Sequence, residues 1–144
     1  MPHQGSCLCG QTIIVINTMP TNQFLCHCFD CRKSNGSAFS SNFLVPEAEL
    51  KIDGPTKTFE IKAASGNDVT RWFCSNCGSQ IYHRSACMGP LTAVHTGNFV
   101  EFAKLPISFE LFVKDRWPGL PAVQNAMQFE DMLPIPAEPA LRKP

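Results

Sequence analysis

The sequence predicts a mainly β domain with one short helix beside its second cysteine cluster. Three observations carry this: short segments alternate apolar and polar residues, turn residues separate them, and a single stretch carries helix signals. In chain order the predicted strands run Thr12 to Ile16, Phe39 to Val45, Lys57 to Lys62, Val69 to Phe73, Leu91 to Thr96 and Ile107 to Val113. The alternation is plainest in Lys57-Thr58-Phe59-Glu60-Ile61-Lys62 and in Ile107-Ser108-Phe109-Glu110-Leu111, where one face is apolar and the other polar. Asn35-Gly36, Asp53-Gly54-Pro55 and Ser65-Gly66-Asn67-Asp68 have the chemistry of turns. The helix is predicted from Phe29 to Ser34, with Asn35-Gly36 as its stop.

A chain of 144 residues is the size of one domain. From Trp117 onward the composition shifts, with Pro118, Pro121, Pro134, Pro136, Pro139 and Pro144 in a short span. Residues 1–117 are therefore expected to form the folded domain, and 118–144 a proline-rich tail packed on it or extending from it. A helical turn is expected at Asn125 to Leu133 within that tail, and Phe129, Met132, Leu133 and Ile135 are expected to cover the domain's own apolar surface.

Apolar residues make up 44% of the chain, charged ones 17%, and twelve basic residues balance twelve acidic ones. No basic excess points to nucleic acid. No apolar run reaches membrane-spanning length, and Met-Pro-His-Gln-Gly-Ser lacks the pattern of a signal peptide, so a cytoplasmic protein is expected. In that reducing setting, clustered thiols point to metal rather than to disulfides.

Seven of the eight cysteines are clustered: Cys7-x-Cys9, Cys26-x-Cys28-x-x-Cys31 and Cys74-x-x-Cys77, with Cys87 alone. Two closely spaced pairs complete the tetrahedral thiolate cage that zinc prefers in structural sites, which makes Cys7, Cys9, Cys74 and Cys77 natural partners. Gly10 and Gly78 follow the pairs and suit the tight turn round a metal. Cys26, Cys28 and Cys31 lack a local fourth cysteine, and three protein ligands with an open position is the pattern of a catalytic zinc. A remote fourth ligand, from Cys87, His83 or His95, would instead close that site.

Three ordered motifs then match a known pattern: Gly5-Ser6-Cys7-Leu8-Cys9-Gly10, Cys26-His27-Cys28-Phe29-Asp30-Cys31-Arg32-Lys33-Ser34-Asn35-Gly36-Ser37-Ala38-Phe39, and Phe73-Cys74-Ser75-Asn76-Cys77-Gly78-Ser79. The chain resembles the glutathione-dependent formaldehyde-activating enzyme family, which also includes centromere protein V. The likeness runs from about residue 5 to 117, with Gly97-Asn98-Phe99 and Trp117 as its later landmarks. It implies a β-tent fold of packed antiparallel sheets, two zinc ions per chain on the same cysteine sets, and carbon–sulfur lyase chemistry on glutathione or another thiol.

On this reading the second zinc takes the thiol of a small-molecule substrate and holds it beside an aldehyde. His27 is the candidate proton carrier because it lies inside the cluster. Arg32, Lys33 and Ser37 are the candidates for substrate binding, the two cations through a carboxylate. Trp72, Phe73, Tyr82 and Trp117 are expected in the core or a pocket wall, and Cys87 as a buried small apolar residue. Two other functions fit the sequence: a zinc enzyme acting on a dedicated biosynthetic metabolite, and a non-catalytic zinc module that binds a partner.

Overall fold

The computed structural model describes residues 1–133. Its strands are β1 (His3–Ser6), β2 (Ile13–Ile16), β3 (Gln23–Cys26), β4 (Ser40–Pro46), β5 (Leu50–Asp53), β6 (Thr56–Lys62), β7 (Asp68–Cys74), β8 (Gln80–Ser85), β9 (Leu91–His95), β10 (Ile107–Leu111) and β11 (Met127–Gln128). The helix α1 spans Phe29–Asn35, and short 3₁₀ turns join several strands. Every predicted strand is present within a residue or two of its expected bounds. Five others, β1, β3, β5, β8 and β11, lie where no strand was expected. In β3 all four residues are buried, so it shows no alternation to detect.

Two sheets form the fold: a small one in the order β1-β2-β5, and a large one in the order β11-β10-β3-β4-β9-β8-β7-β6. The expected packing of antiparallel sheets needs one correction, since β10 pairs in parallel with both β3 and β11. The cause is the route from β9, whose 3₁₀ turns carry the chain across before β10 lies down beside β3. The expected helical turn at Asn125 to Leu133 is likewise corrected. Asn125 adopts a left-handed conformation, and the chain then runs along β10 as β11, with the Phe129 N–H donating to Glu110 O and the Val113 N–H to Phe129 O. Ile135 lies outside the described residues.

The main core lies between the sheets, where Phe43 meets Phe99 and Phe102 edge-on and Ile14, Ile16 and Ile81 are fully buried. A second apolar cluster lies against the large sheet, built on Phe24, Cys26, Cys31, Ala93 and Leu111, with Phe129 and Leu133 packed onto it. Gly5 has to be glycine at the seam between the β1 edge and the core. A Cβ there would stand 2.6 Å from Asn98 O and 2.9 Å from the Phe99 ring.

Candidate metal centres and the cavity beside them

The first centre joins the β1–β2 turn to the β7–β8 turn. Both turns are built alike: the Cys7 N–H donates to Thr12 O and the Cys74 N–H to Ser79 O, while the Gly10 and Gly78 N–H groups donate back to Cys7 O and Cys74 O. Each turn closes on a glycine at φ 79°. The Sγ atoms of Cys7, Cys9, Cys74 and Cys77 all lie within 4.8 Å of one another. Cys7 and Cys9 are 3.5 Å apart and Cys9 and Cys74 3.8 Å, close to the ~3.8 Å edge of a tetrahedron with metal–sulfur bonds of ~2.3 Å. The Thr12 N–H points at the Cys7 sulfur from 3.2 Å. Hydrogen bonds from the Ser79 hydroxyl and N–H hold the Cys77 thiol down at about 5, so it is a thiolate at neutral pH. Four sulfurs, backbone donors aimed at them and matching edges fit a tetrahedral cation.

The second group is placed by β3 and α1. Cys26 ends β3, Cys28 caps the helix by accepting from the Cys31 N–H at 3.4 Å, and Cys31 comes round on the first turn. Gly36 at φ 61° stops the helix, its N–H bonded to Arg32 O, where the sequence predicted a stop. The three Sγ atoms lie within 4.8 Å of one another, and among the described residues no further Cys, His, Asp or Glu completes that group. Hydrogen bonds from Cys26 and Cys28 hold Cys31 well below the ordinary thiol range, while bonding to Cys28 and Cys31 pushes Cys26 well above it. Three neighbouring thiols cannot all ionise without a cation between them. All eight cysteines are free thiols, and each of the two clusters could hold a metal ion.

Beside this second group lies a cavity of about 340 Å³. One face of the large sheet makes its floor: Cys26 of β3, Val69 and Arg71 of β7, and His83 and Ser85 of β8. Val69 stands opposite Ser85 and Arg71 opposite His83 in the β7–β8 ladder. The β6–β7 turn, Cys87 and Met88 wall one side, and Phe112, Lys114 and Met132 from the C-terminal segment close another. Arg71 is only 7% exposed. It donates long bonds to Ser34 Oγ at 3.4 Å and to Cys31 Sγ at 3.9 Å, and among the described residues no carboxylate pairs with it. The His83 Nδ1 is shielded and unpartnered, and burial lowers that imidazole to about 4 and the neighbouring His95 to about 3, so both are neutral at pH 7.

The residues singled out from sequence are scattered by comparison. His27 points through the sheet to the opposite face, where its Nε2 meets Glu110 Oε1 at 2.8 Å, both side chains being 1% exposed. Side chains alternate along β3, so a histidine between two inward cysteines faces away from them. Glu110 also accepts from the Val123 N–H, the Gln128 amide and Arg116, and despite its burial these bonds hold the carboxyl below its usual range. Arg32 donates to Asp115 O and lies over the Phe29 and Trp117 rings, Lys33 lies on the outer side of α1, and the Ser37 hydroxyl bonds to Phe39 O. None of these four lines the cysteine cavity. Trp117 is exposed, while Trp72 and Tyr82 stack with centroids 4.4 Å apart. Cys87, expected in the core, stands in the cavity wall with its thiol 3.4 Å from Ser85 Oγ.

Arg71 and His83 are the cavity residues that the sequence reading missed, although His83 was weighed as a ligand. A signal existed for Arg71. In the predicted strand Val69 to Phe73 it shares the inward side with two apolar residues, and a cation there calls for an anion.

Against known proteins, the sequence model of the glutathione-dependent formaldehyde-activating enzyme family matches residues 2–115. The crystal structure of a Rhodobacter sphaeroides protein superposes with a TM-score of 0.56 at 16% identity, covering 73% of this chain and 99% of the other. That likeness speaks to the fold alone. No curated protein matches the sequence. No helix among the described residues is long and apolar enough to cross a membrane.

Proposed function

Because the chain belongs to the glutathione-dependent formaldehyde-activating enzyme family, we propose that it is a zinc-dependent carbon–sulfur lyase or thiol–aldehyde adduct enzyme. Cys7, Cys9, Cys74 and Cys77 would hold a structural zinc, and Cys26, Cys28 and Cys31 a second one whose open position would suit a thiol such as glutathione. A reducing compartment such as the cytoplasm suits eight free thiols.

The observation that carries this reading is the opening of a three-sulfur group, with no fourth ligand among the described residues, onto a cavity floored by an unpaired buried cation. At about 340 Å³ the cavity is of the size that takes small ligands. A zinc ion on three thiolates supplies a position at which an incoming thiol is deprotonated near neutral pH. The chain's own residues do the rest. Arg71 balances the charge on the sulfurs and turns its remaining N–H groups to an anionic group on the substrate. The apolar walls exclude water and hold thiolate and aldehyde together. The sulfur adds to the carbonyl carbon, a carbon–sulfur bond forms as the C=O π pair moves to oxygen, and that oxygen takes the proton the thiol lost. His83, neutral and on the cavity floor, carries the proton between them. The reverse sequence cleaves the same bond.

The test is metal content followed by spectroscopy of the cobalt-substituted protein. Two metal ions per chain and a change in the thiolate-to-cobalt bands on adding glutathione are expected. Bands that stay blind to every thiol tried would sink the proposal. One observation favours a dedicated metabolite over glutathione and formaldehyde: an apolar chamber adjoins the cavity.

A further inference from the structure

The chamber opens beside Cys26 and holds about 150 Å³. Phe24, Leu44, Leu91, Ala93, Phe109 and Leu111 line it, and Cys26 and His83 are the titratable groups on its rim among the described residues. Cys26, His83, Met88 and Met132 border both spaces, so the two adjoin. Formaldehyde has one carbon and no use for such a space, whereas apolar cavities of about 150 Å³ admit a benzene ring. Arg71 lies at the far end of the same floor. It faces His83 across one strand pair and His83 faces Ala93 across the next, so cation and chamber are two strand spacings, about 10 Å, apart. The sulfur group lies alongside this line, with Cys26 at the chamber and Cys31 at Arg71.

From this juxtaposition we propose that the substrate is an organic anion carrying a ring-sized apolar group, with the anion held by Arg71, the apolar group housed in the chamber, and the reacting sulfur between them. The proposal rests on the reading of the cavity as a thiol-adduct site. It gives the substrate, beside its reacting sulfur, an aryl or branched alkyl group that a one-carbon aldehyde lacks. A buried guanidinium that no carboxylate pairs among the described residues discriminates strongly for an anion, because a neutral ligand leaves its remaining donors unpaired. The apolar lining of the chamber rewards apolar surface by area.

Two ligand series on the metal-loaded protein test it. In the first, 2-mercapto-3-phenylpropanoate is compared with mercaptoacetate and with its own amide, read by the cobalt bands. The ring is expected to tighten binding by about tenfold or more, and the amide to bind about tenfold or more weakly than the acid. In Arg71→Met the acid-over-amide ratio falls to near one. In Ala93→Leu, which fills the chamber, the advantage of the ring is lost. Equal affinities for ringed and ringless thiols, or for acid and amide, in the unaltered protein overturn the proposal while leaving the thiol-binding reading in place. The second series uses thiol-free 3-phenylpropanoate against its amide, read by calorimetry. Binding of the acid alone, with the cobalt bands blind to every thiol, would uphold the proposed ligand class and defeat the adduct chemistry.

Discussion

Cys9 gives the sharpest measurement of whether the two turns are tied through a metal, because its side chain is exposed and contributes no core packing. As an ordinary surface residue, Cys9→Ser would change stability by no more than about 0.5 kcal/mol. As a ligand it closes a long loop, since Cys9 and Cys74 are 65 residues apart in sequence. A cross-link over that separation removes about 14 cal/mol/K from the unfolded ensemble, or about 4 kcal/mol at 25 °C. If the metal instead leaves on unfolding, its binding free energy takes the place of this figure and is of the same order or larger. With a urea m-value of about 2 kcal/mol/M the midpoint should fall by about 2 M. The assay is urea unfolding followed by tryptophan fluorescence, with Trp72 as a reporter on β7, and with metal content measured on the same samples. Cys9→Ser should lose one metal ion of two, while Cys87→Ser should keep both. A Cys9→Ser protein that keeps its metal and shifts by less than about 0.5 kcal/mol would refute the tie.

Three further outcomes follow from the geometry. Glu110→Ala strands the buried His27, the Val123 N–H and Gln128 without their acceptor and should cost about 3–5 kcal/mol in chemical denaturation; a loss under about 1 kcal/mol would show that water replaces the carboxylate. His95 titrates near 6.5 when unfolded and at about 3 when folded, so the unfolded chain binds the extra proton as pH falls below 6.5 and stability drops. Between pH 7 and pH 5 that single group should remove about 2 kcal/mol, and His95→Gln should lose correspondingly less over the same interval; parallel pH curves for the two proteins would contradict this. Gly54 stands at φ 120° with a Cβ position 2.1 Å from Gln11 O, whereas Gly66 is at φ 86° with nothing near. Gly54→Ala should therefore lower the thermal midpoint well beyond Gly66→Ala, by the equivalent of about 1–3 kcal/mol, and equal shifts would rule out the clash.

The cysteine grouping was legible in the sequence because a ligand set with short internal spacings is a local property. Cys7-x-Cys9 and Cys74-x-x-Cys77 each fix a turn by themselves, and the folded turns match in their hydrogen bonds and in their glycine φ angles. The mainly β class and the helix stop at Asn35-Gly36 were legible for the same reason, since alternation and a left-handed glycine act over a few residues. Alternation along Cys26-His27-Cys28 turns His27 away from the sulfurs, against its expected role as their proton carrier. What it could not supply was the partner, for Glu110 arrives from a strand 83 residues away.

The tertiary structure alone decided what surrounds the second sulfur group. Arg71 comes from β7, His83 from β8, Cys87 from the turn after β8 and the apolar chamber from β3, β4, β9 and β10, and they meet only because the large sheet orders its strands as it does. Arg32 and Lys33 adjoin Cys31 in sequence, yet the helix turns them outward to solvent, Trp117 and Asp115 O, while an arginine 40 residues away reaches the Cys31 sulfur. Ligand spacing is written in neighbouring residues and so belongs to the sequence. The charge and shape of the cavity belong to side chains brought together across strands, where the long-range pairing of the sheet decides which residues share a face.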